Sequence, residues 1–336
     1  MVLAAVIINI MRYFSRFLLI GALCIFAGAC SSTPKKTRHH QKSISPYADD
    51  FTQSTSFTMS QRELLSILSD QKSLIDEALS DKEKLRNELS SKFKILMGKW
   101  SAYLAKYPTD TEAIIIYGKF MRQIGENEAA YNAFKRADDL NPNLAVVKQQ
   151  LATYEGDIGD YEESFKNLSK AIELDPNSAI YKYQLGELLS VFRSDFLINE
   201  ILTQEELDSL LSKNFKEAHL IEPNNMAYFW RYAQSFYDVK SANWQEALEI
   251  WEELIPQLYV QVDQESAYIN KARVLVELYR DTEALEIMDK VTHPSLIRDK
   301  ARLIEVIKRD NHFEVPKKTF EEDIKIPLMP EKTYTQ

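Results

Sequence analysis

The residue types that usually carry chemistry are few in this sequence and poorly spaced for it. The five histidines are His39, His40, His219, His293 and His312. No two lie four apart and no cysteine accompanies them at ligand spacing, so no metal site is expected. The adjacent pair His39–His40 reads as part of a solvated polar linker. No phosphate-binding glycine loop, dinucleotide fingerprint, HExxH or GxSxG run occurs. The sequence therefore predicts no catalytic residue and no cofactor. Its formal charge of −9 argues against general nucleic-acid binding. One side chain has a chemical context of its own. Cys30 closes the run Phe26-Ala-Gly-Ala-Cys30-Ser-Ser, and the other cysteine, Cys24, lies upstream of it.

Positioning must come from helices. Glycine is scarce, at 8 residues in 336, and Leu, Ala, Glu and Lys dominate. Two segments repeat at an offset of 34: Gly125, Ala137 and Pro142 become Gly159, Ala171 and Pro176. The surrounding text matches too, GENEAAYNAFKRADDLNP against GDYEESFKNLSKAIELDP. Gly118, Ala130 and Ala137 are small where two helices, A and B, would cross closely. Ile114, Tyr117, Met121, Tyr131 and Phe134 would fill the space between them. Gly125 suits a turn that needs positive φ, and Pro142 stops helix B.

This spacing and punctuation resembles the tetratricopeptide repeat, a helix–turn–helix unit of 34 residues. The resemblance implies an all-α, right-handed superhelix of antiparallel helix pairs, with about five repeats over 111–310. Residues 60–110 are expected to form an atypical N-terminal helical cap and partial repeat. Ser60 with Glu63 forms a capping-box pattern at its start, and Ser80 with Glu83 a second, leaving one long helix or two. Trp100 falls in an aromatic slot, but Lys84 stands where a small residue belongs. In the third unit Gly186, Phe215, Ala218 and Pro223 fit the pattern, yet Pro223 follows Pro176 by 47 residues. The 13 extra residues fall near 191–203, before a Thr203/Glu206 capping box. The fourth unit uses Phe229, Tyr232 and Ala233, then Ala247 and Trp251; the fifth uses Ala272 and Ala284. A closing helix is expected over 295–309, and the tail 311–336 is expected to be extended or disordered.

Residues 1–29 resemble a lipoprotein-type signal peptide. Arg12 and Arg16 supply a basic region, 17–29 a short apolar one, and small residues precede the cysteine. Ala27 replaces the Leu usual three positions before it. The resemblance implies acylation of Cys30 and a lipoprotein facing the periplasm of a bacterial envelope, with Ser31 favouring the outer membrane. An ordinary cleaved signal or an uncleaved anchor are the alternatives, and translation from Met1 or from Met11 both fit. Cleavage would reduce Lys+Arg from 41 to 39 against 50 acids, so the net charge becomes −11. Residues 30–59 read as a flexible tether.

In arrays of the resembled kind the A helices line a concave groove. Carried across position by position, that places Ile115, Lys119 and Arg122, then Gln149, Thr153 and Asp157, in the first two units. Tyr183 and Glu187, then Trp230, Gln234 and Tyr237, follow in the third and fourth, and Ile269 and Arg273 in the fifth. The Lys/Asn arrangement with which some such domains grip a terminal carboxylate is absent, because Ile115 and Lys119 occupy its positions. Trp230, Tyr237 and Tyr183 suggest an aromatic platform for a peptide, with inter-repeat core as the other reading. The expected function is a non-enzymatic adaptor on a lipid anchor, binding a protein or peptide partner. Alternatives are self-association through the long N-terminal helix, a tail folded into its own groove, and an envelope enzyme subunit. Glu265-Ser266 matches the start of a motif of peptidoglycan-cleaving enzymes, but no glycine follows Gly186, so the match ends there.

Overall fold

The computed structural model describes residues 57–80 and 86–309, with side chains described outside 78–90. The signal-type segment with Cys30, most of the tether, the Ser80/Glu83 box with Lys84 and the tail 311–336 lie outside the described side chains. The fold class is the one expected. Among the described residues every regular element is a helix and none is a strand.

Helices α1 (Met59–Ser80) and α2 (Arg86–Lys106) come first. Then follow α3 (Thr111–Gln123), α4 (Asn127–Leu140), α5 (Ala145–Ile158), α6 (Tyr161–Leu174) and α7 (Ala179–Val191). A short α8 (Arg193–Ile198) precedes α9 (Gln204–Ile221) and α10 (Met226–Ser235). The last four are α11 (Trp244–Leu254), α12 (Gln261–Glu277), α13 (Asp281–Met288) and α14 (Ile297–Arg309). The described residues fall into two compact units, divided between Asp238 and Val239. The division falls inside the expected fourth repeat, whose A helix α10 lies in the first unit and whose B helix α11 lies in the second.

The small residues of the repeat do what their size requires. A Cβ on Gly118 would stand 2.8 Å from the Phe134 ring, and one on Gly186 would stand 2.7 Å from Phe215. Both rings are fully buried, so neither can give way. Ala130, Ala137, Ala171, Ala218, Ala247 and Ala284 are buried at the equivalent crossings. Pro142, Pro176 and Pro223 each follow the end of a B helix by two residues.

The A–B turns of the first, second, third and fifth repeats share one device. Gly125 (φ 86°) and Gly159 (φ 88°) are left-handed, and the next N–H reaches back five residues. Glu126 N donates to Met121 O (2.9 Å) and Asp160 N to Glu155 O (2.8 Å), which closes the carbonyls of the helix end. Where the sequence has no glycine the device persists. Glu200 (φ 55°) and Tyr279 (φ 59°) take the same conformation, with Ile201 N on Phe196 O and Arg280 N on Leu275 O.

The leading hairpin departs from the repeat. It is two helices rather than one, and they run antiparallel. Lys92–Glu77, Lys99–Asp70 and Lys106–Glu63 pair at 2.5–2.6 Å, each step seven residues along both helices in opposite directions. Its start is set by Thr58, not Ser60. Thr58 N donates to Gln61 Oε1 (2.9 Å) and Gln61 N to Thr58 Oγ1 (3.2 Å), while Glu63 is committed to Lys106. Leu96 and Tyr103 stand 34 residues before Ala130 and Ala137, so the crossing is bulkier than in a repeat. Its core is continuous with that of the first repeat: Leu64, Ile67, Trp100, Ile114, Phe120 and Phe134 belong to one cluster.

Candidate functional site

The A helices α3, α5, α7 and α10 of the first unit carry their groove-position residues at spacings of three and four, which place them on one helical face. Polar side chains then join each A helix to the next. Arg122 Nη1 donates to Gln150 Oε1 (2.9 Å), and Gln150 Nε2 donates to Gln149 Oε1 (2.5 Å). Gln149 Nε2 donates across to Gln184 Oε1 (2.8 Å) and along its own helix to Thr153 Oγ1 (3.1 Å). Gln149 is only 7 % exposed. At that burial an unmet amide is costly, so the chain of bonds fixes the register of three successive A helices.

A second polar cluster follows. Arg231 Nε donates to Glu187 Oε1 (2.5 Å), and its Nη2 donates to Asp238 Oδ2 (2.7 Å). Ser190 Oγ also donates to Asp238 (3.3 Å). The guanidinium stacks over the Phe215 ring at 4.1 Å, the same ring that excludes a side chain at position 186. Burial alone would lower the Arg231 pKa; Asp238 and Glu187 outweigh it and raise it. The cluster couples α7, α9 and α10.

Lys119 differs from these. It is exposed, and among the described residues it has no hydrogen-bond or ion-pair partner. Surrounding protein atoms desolvate its ammonium and lower its pKa. The other groove positions are mixed. Ile115 packs on the N-terminal core cluster. Tyr183 packs edge-on to Phe215 (5.9 Å) and tilted on Tyr228 (4.9 Å), so it contributes to inter-repeat packing. Trp230, Gln234 and Tyr237 are half-buried, and Asp157 is exposed. Phe229 and Tyr232 are buried, as core residues would be.

In the second unit Ile269 is buried and Arg273 is exposed. Glu265 has a clear task. Its carboxylate accepts Thr292 N (2.7 Å), His293 N (2.6 Å), Thr292 Oγ1 (3.0 Å) and Gln261 Nε2 (2.7 Å). Burial would raise its pKa, but the donation from His293, Gln261 and Thr292 holds it at about 2. It is a structural clamp between α12 and the turn before α14. No group of three metal-ligating side chains forms among the described residues. Among the same residues no helix is long and apolar enough to cross a membrane.

Sequence reasoning missed Arg231, Asp238, Gln150 and Gln184. A signal was present for two pairs. Arg231 and Asp238 are seven apart, two helical turns on one face, and Gln184 stands 35 residues after Gln149, one beyond the repeat period.

The model of the tetratricopeptide repeat matches residues 147–178, which span α5, α6 and the turn into α7. The sequence match is to one repeat, and the helical architecture is of the tetratricopeptide type. A search of curated proteins returns no match. Among solved structures the chain is similar to YrrB, a TPR protein with an unusual peptide-binding site. The identity is 16 %, the TM-score 0.50, and the match covers 62 % of this chain and 97 % of that one. It is also similar to MamA (17 %, TM-score 0.42, covering 62 % and 98 %). A third is PilW, a widely conserved type IV pilus biogenesis factor (12 %, TM-score 0.45, covering 75 % and 100 %). At these identities the likeness to YrrB speaks for the tetratricopeptide fold alone, and the two lower scores add nothing to it.

Proposed function

We propose that this protein is a non-enzymatic scaffold that binds a protein or peptide partner on the A-helix face of its first unit. The observation that carries the reading is the ordered polar lining of that face. The Arg122–Gln150–Gln149–Gln184 chain holds three A helices in register and leaves Lys119 exposed beside it. Such a surface is pre-organised, which reduces the entropy lost on binding. YrrB, of the same fold, has a peptide-binding site in its own right. The groove set is Ile115, Lys119, Arg122, Tyr183, Glu187, Trp230, Gln234 and Tyr237, with Lys119 and the half-buried Trp230 and Tyr237 as its accessible members. Arg273 is a separate candidate contact on the second unit.

The same proposal places the scaffold on a lipid attached to Cys30, facing the bacterial periplasm and at the outer membrane rather than the inner. The signal-like sequence before Cys30 supports this. Anchoring raises the effective concentration of membrane-bound partners without a new contact. Affinity capture from detergent-solubilised envelopes tests the binding face. Partners retained by the wild-type chain should be lost from both Lys119→Glu and Trp230→Ala; an unchanged partner set in both would refute the assignment. The anchor is tested separately, because Cys30→Ala should release the chain from the membrane fraction.

A further inference from the structure

The part of the third repeat that departs from the 34-residue period carries a second surface. Helix α8 and the turn after it extend the A arm, and the inner side of this arm is firmly held. Phe196 is fully buried, edge-on to Tyr161 (5.0 Å) and to Phe165 (5.5 Å). Phe192 stacks on Tyr161 at 5.4 Å, and Asn199 Nδ2 donates to the Tyr161 hydroxyl at 2.8 Å. The left-handed Glu200 closes the arm, with Ile201 N bonded back to Phe196 O.

The outer side stays open. Ile198 is 78 % exposed, Val191 69 % and Ile158 62 %. In sequence all three lie beside Tyr161 or a residue that packs on it. Val191 adjoins Phe192, Ile198 adjoins Asn199, and Ile158 lies three residues before Tyr161. The ends of α5 and α7 are neighbours, since a Cβ on Gly156 would lie 3.7 Å from Leu188. Single exposed aliphatics are ordinary; three at one rim of a fixed arm make a patch.

The surroundings of this patch are acidic. Asp157, Asp160, Glu162, Asp195 and Glu200 are exposed there. Arg193, the sole base in 155–163 and 191–206, is ion-paired with Asp208. An acidic rim repels an anionic lipid surface, and it repels a second copy of itself. We infer that this rim docks a protein segment carrying two or three aliphatic anchors flanked by Lys or Arg. The site begins at the end of the A-helix face, sharing Asp157 with it, and is carried by the ends of α5 and α7 and by α8.

The test is to pan the full chain with a random dodecapeptide display library. The enriched peptides should pair aliphatic residues with flanking bases. A synthetic copy of the most enriched one should bind at least tenfold more weakly to Ile198→Asp and to Val191→Asp, and more weakly in high salt. Trp230→Ala should leave its affinity unchanged. Both rim substitutions are at exposed positions, and an unaltered melting curve shows that the arm stays folded. Several outcomes would overturn the inference: no enriched family, peptides without a basic bias, or affinities insensitive to both rim variants. Sedimentation of the wild-type chain as a dimer that Ile198→Asp dissociates would overturn it too, by naming a second copy as the occupant.

Discussion

At the scale of single residues, space and backbone sign matter more here than reactive groups. Gly118→Ala forces a methyl into the Phe134 ring and should cost about 1–3 kcal/mol, read from denaturant unfolding. Tyr279 sits in the slot that glycine fills in the first two repeats, and its side chain is 56 % exposed. Tyr279→Gly should therefore stabilise the second unit by about 1 kcal/mol, provided the turn keeps its Arg280–Leu275 bond. Glu265 makes stability depend on pH. Its folded pKa of about 2 lies below its unfolded value of roughly 4.3, so its contribution is full above about pH 5 and declines as the pH falls towards 2. Glu265→Gln should destabilise the neutral protein by about 1–3 kcal/mol and flatten that acid decline. The glycine and alanine positions were readable in the sequence because size has a fixed period. The clamp was not, since Glu265 meets Thr292 and His293 only after α12 and α13 have folded back.

At the scale of elements, the regular helices were legible and their exceptions were not. Pro142 and Pro176 mark helix ends because proline acts locally, and the Thr203/Glu206 box is also local. In the structure the Thr203 hydroxyl and the Glu206 carboxylate cap each other's backbone as that pattern requires. The start of α1 shows the limit of such patterns. Thr58/Gln61 and Ser60/Glu63 both satisfy the spacing, and the choice depends on Lys106, 43 residues away from Glu63. The 13-residue excess was visible as a late proline, but its anchor, Phe196, was not distinguishable from Phe192 or Ile198. Phe196→Ala should cost about 3–5 kcal/mol and free the arm for rapid proteolysis between 193 and 202. Arg231→Met should cost about 2–4 kcal/mol, because Glu187 and Asp238 would face each other with their shared cation removed. Restoring part of that loss by adding Glu187→Gln, in a double-mutant cycle, would assign the cost to the orphaned charges.

At the scale of the whole molecule, the strongest contacts join elements that are adjacent or next-adjacent in sequence. Stability in such an array is close to a sum over neighbours, so damage is felt locally. Trp100 and Trp251 are both fully buried, one in each unit. With single-tryptophan variants as reporters, Glu265→Gln should move the unfolding transition read at Trp251 more than that read at Trp100. Equal shifts would show that the two units unfold together. The period announced an array of this kind, but not that the two units divide inside the fourth repeat. Nothing in the spacing of Ala233 and Ala247 marks that boundary, since both alanines fit the repeat and both are buried.

The left-handed turns have a consequence for how the chain's motions can be watched. Four amides, those of Glu126, Asp160, Ile201 and Arg280, each bond back across a turn at 2.8–3.0 Å. Each is protected from solvent deuterium only while its own helix pair stays closed. Their exchange rates are four local clocks, in the hairpins of the first, second, third and fifth repeats. Measured together, they would time the opening of these four hairpins, and a bound partner would slow only the clocks of the hairpins it holds shut.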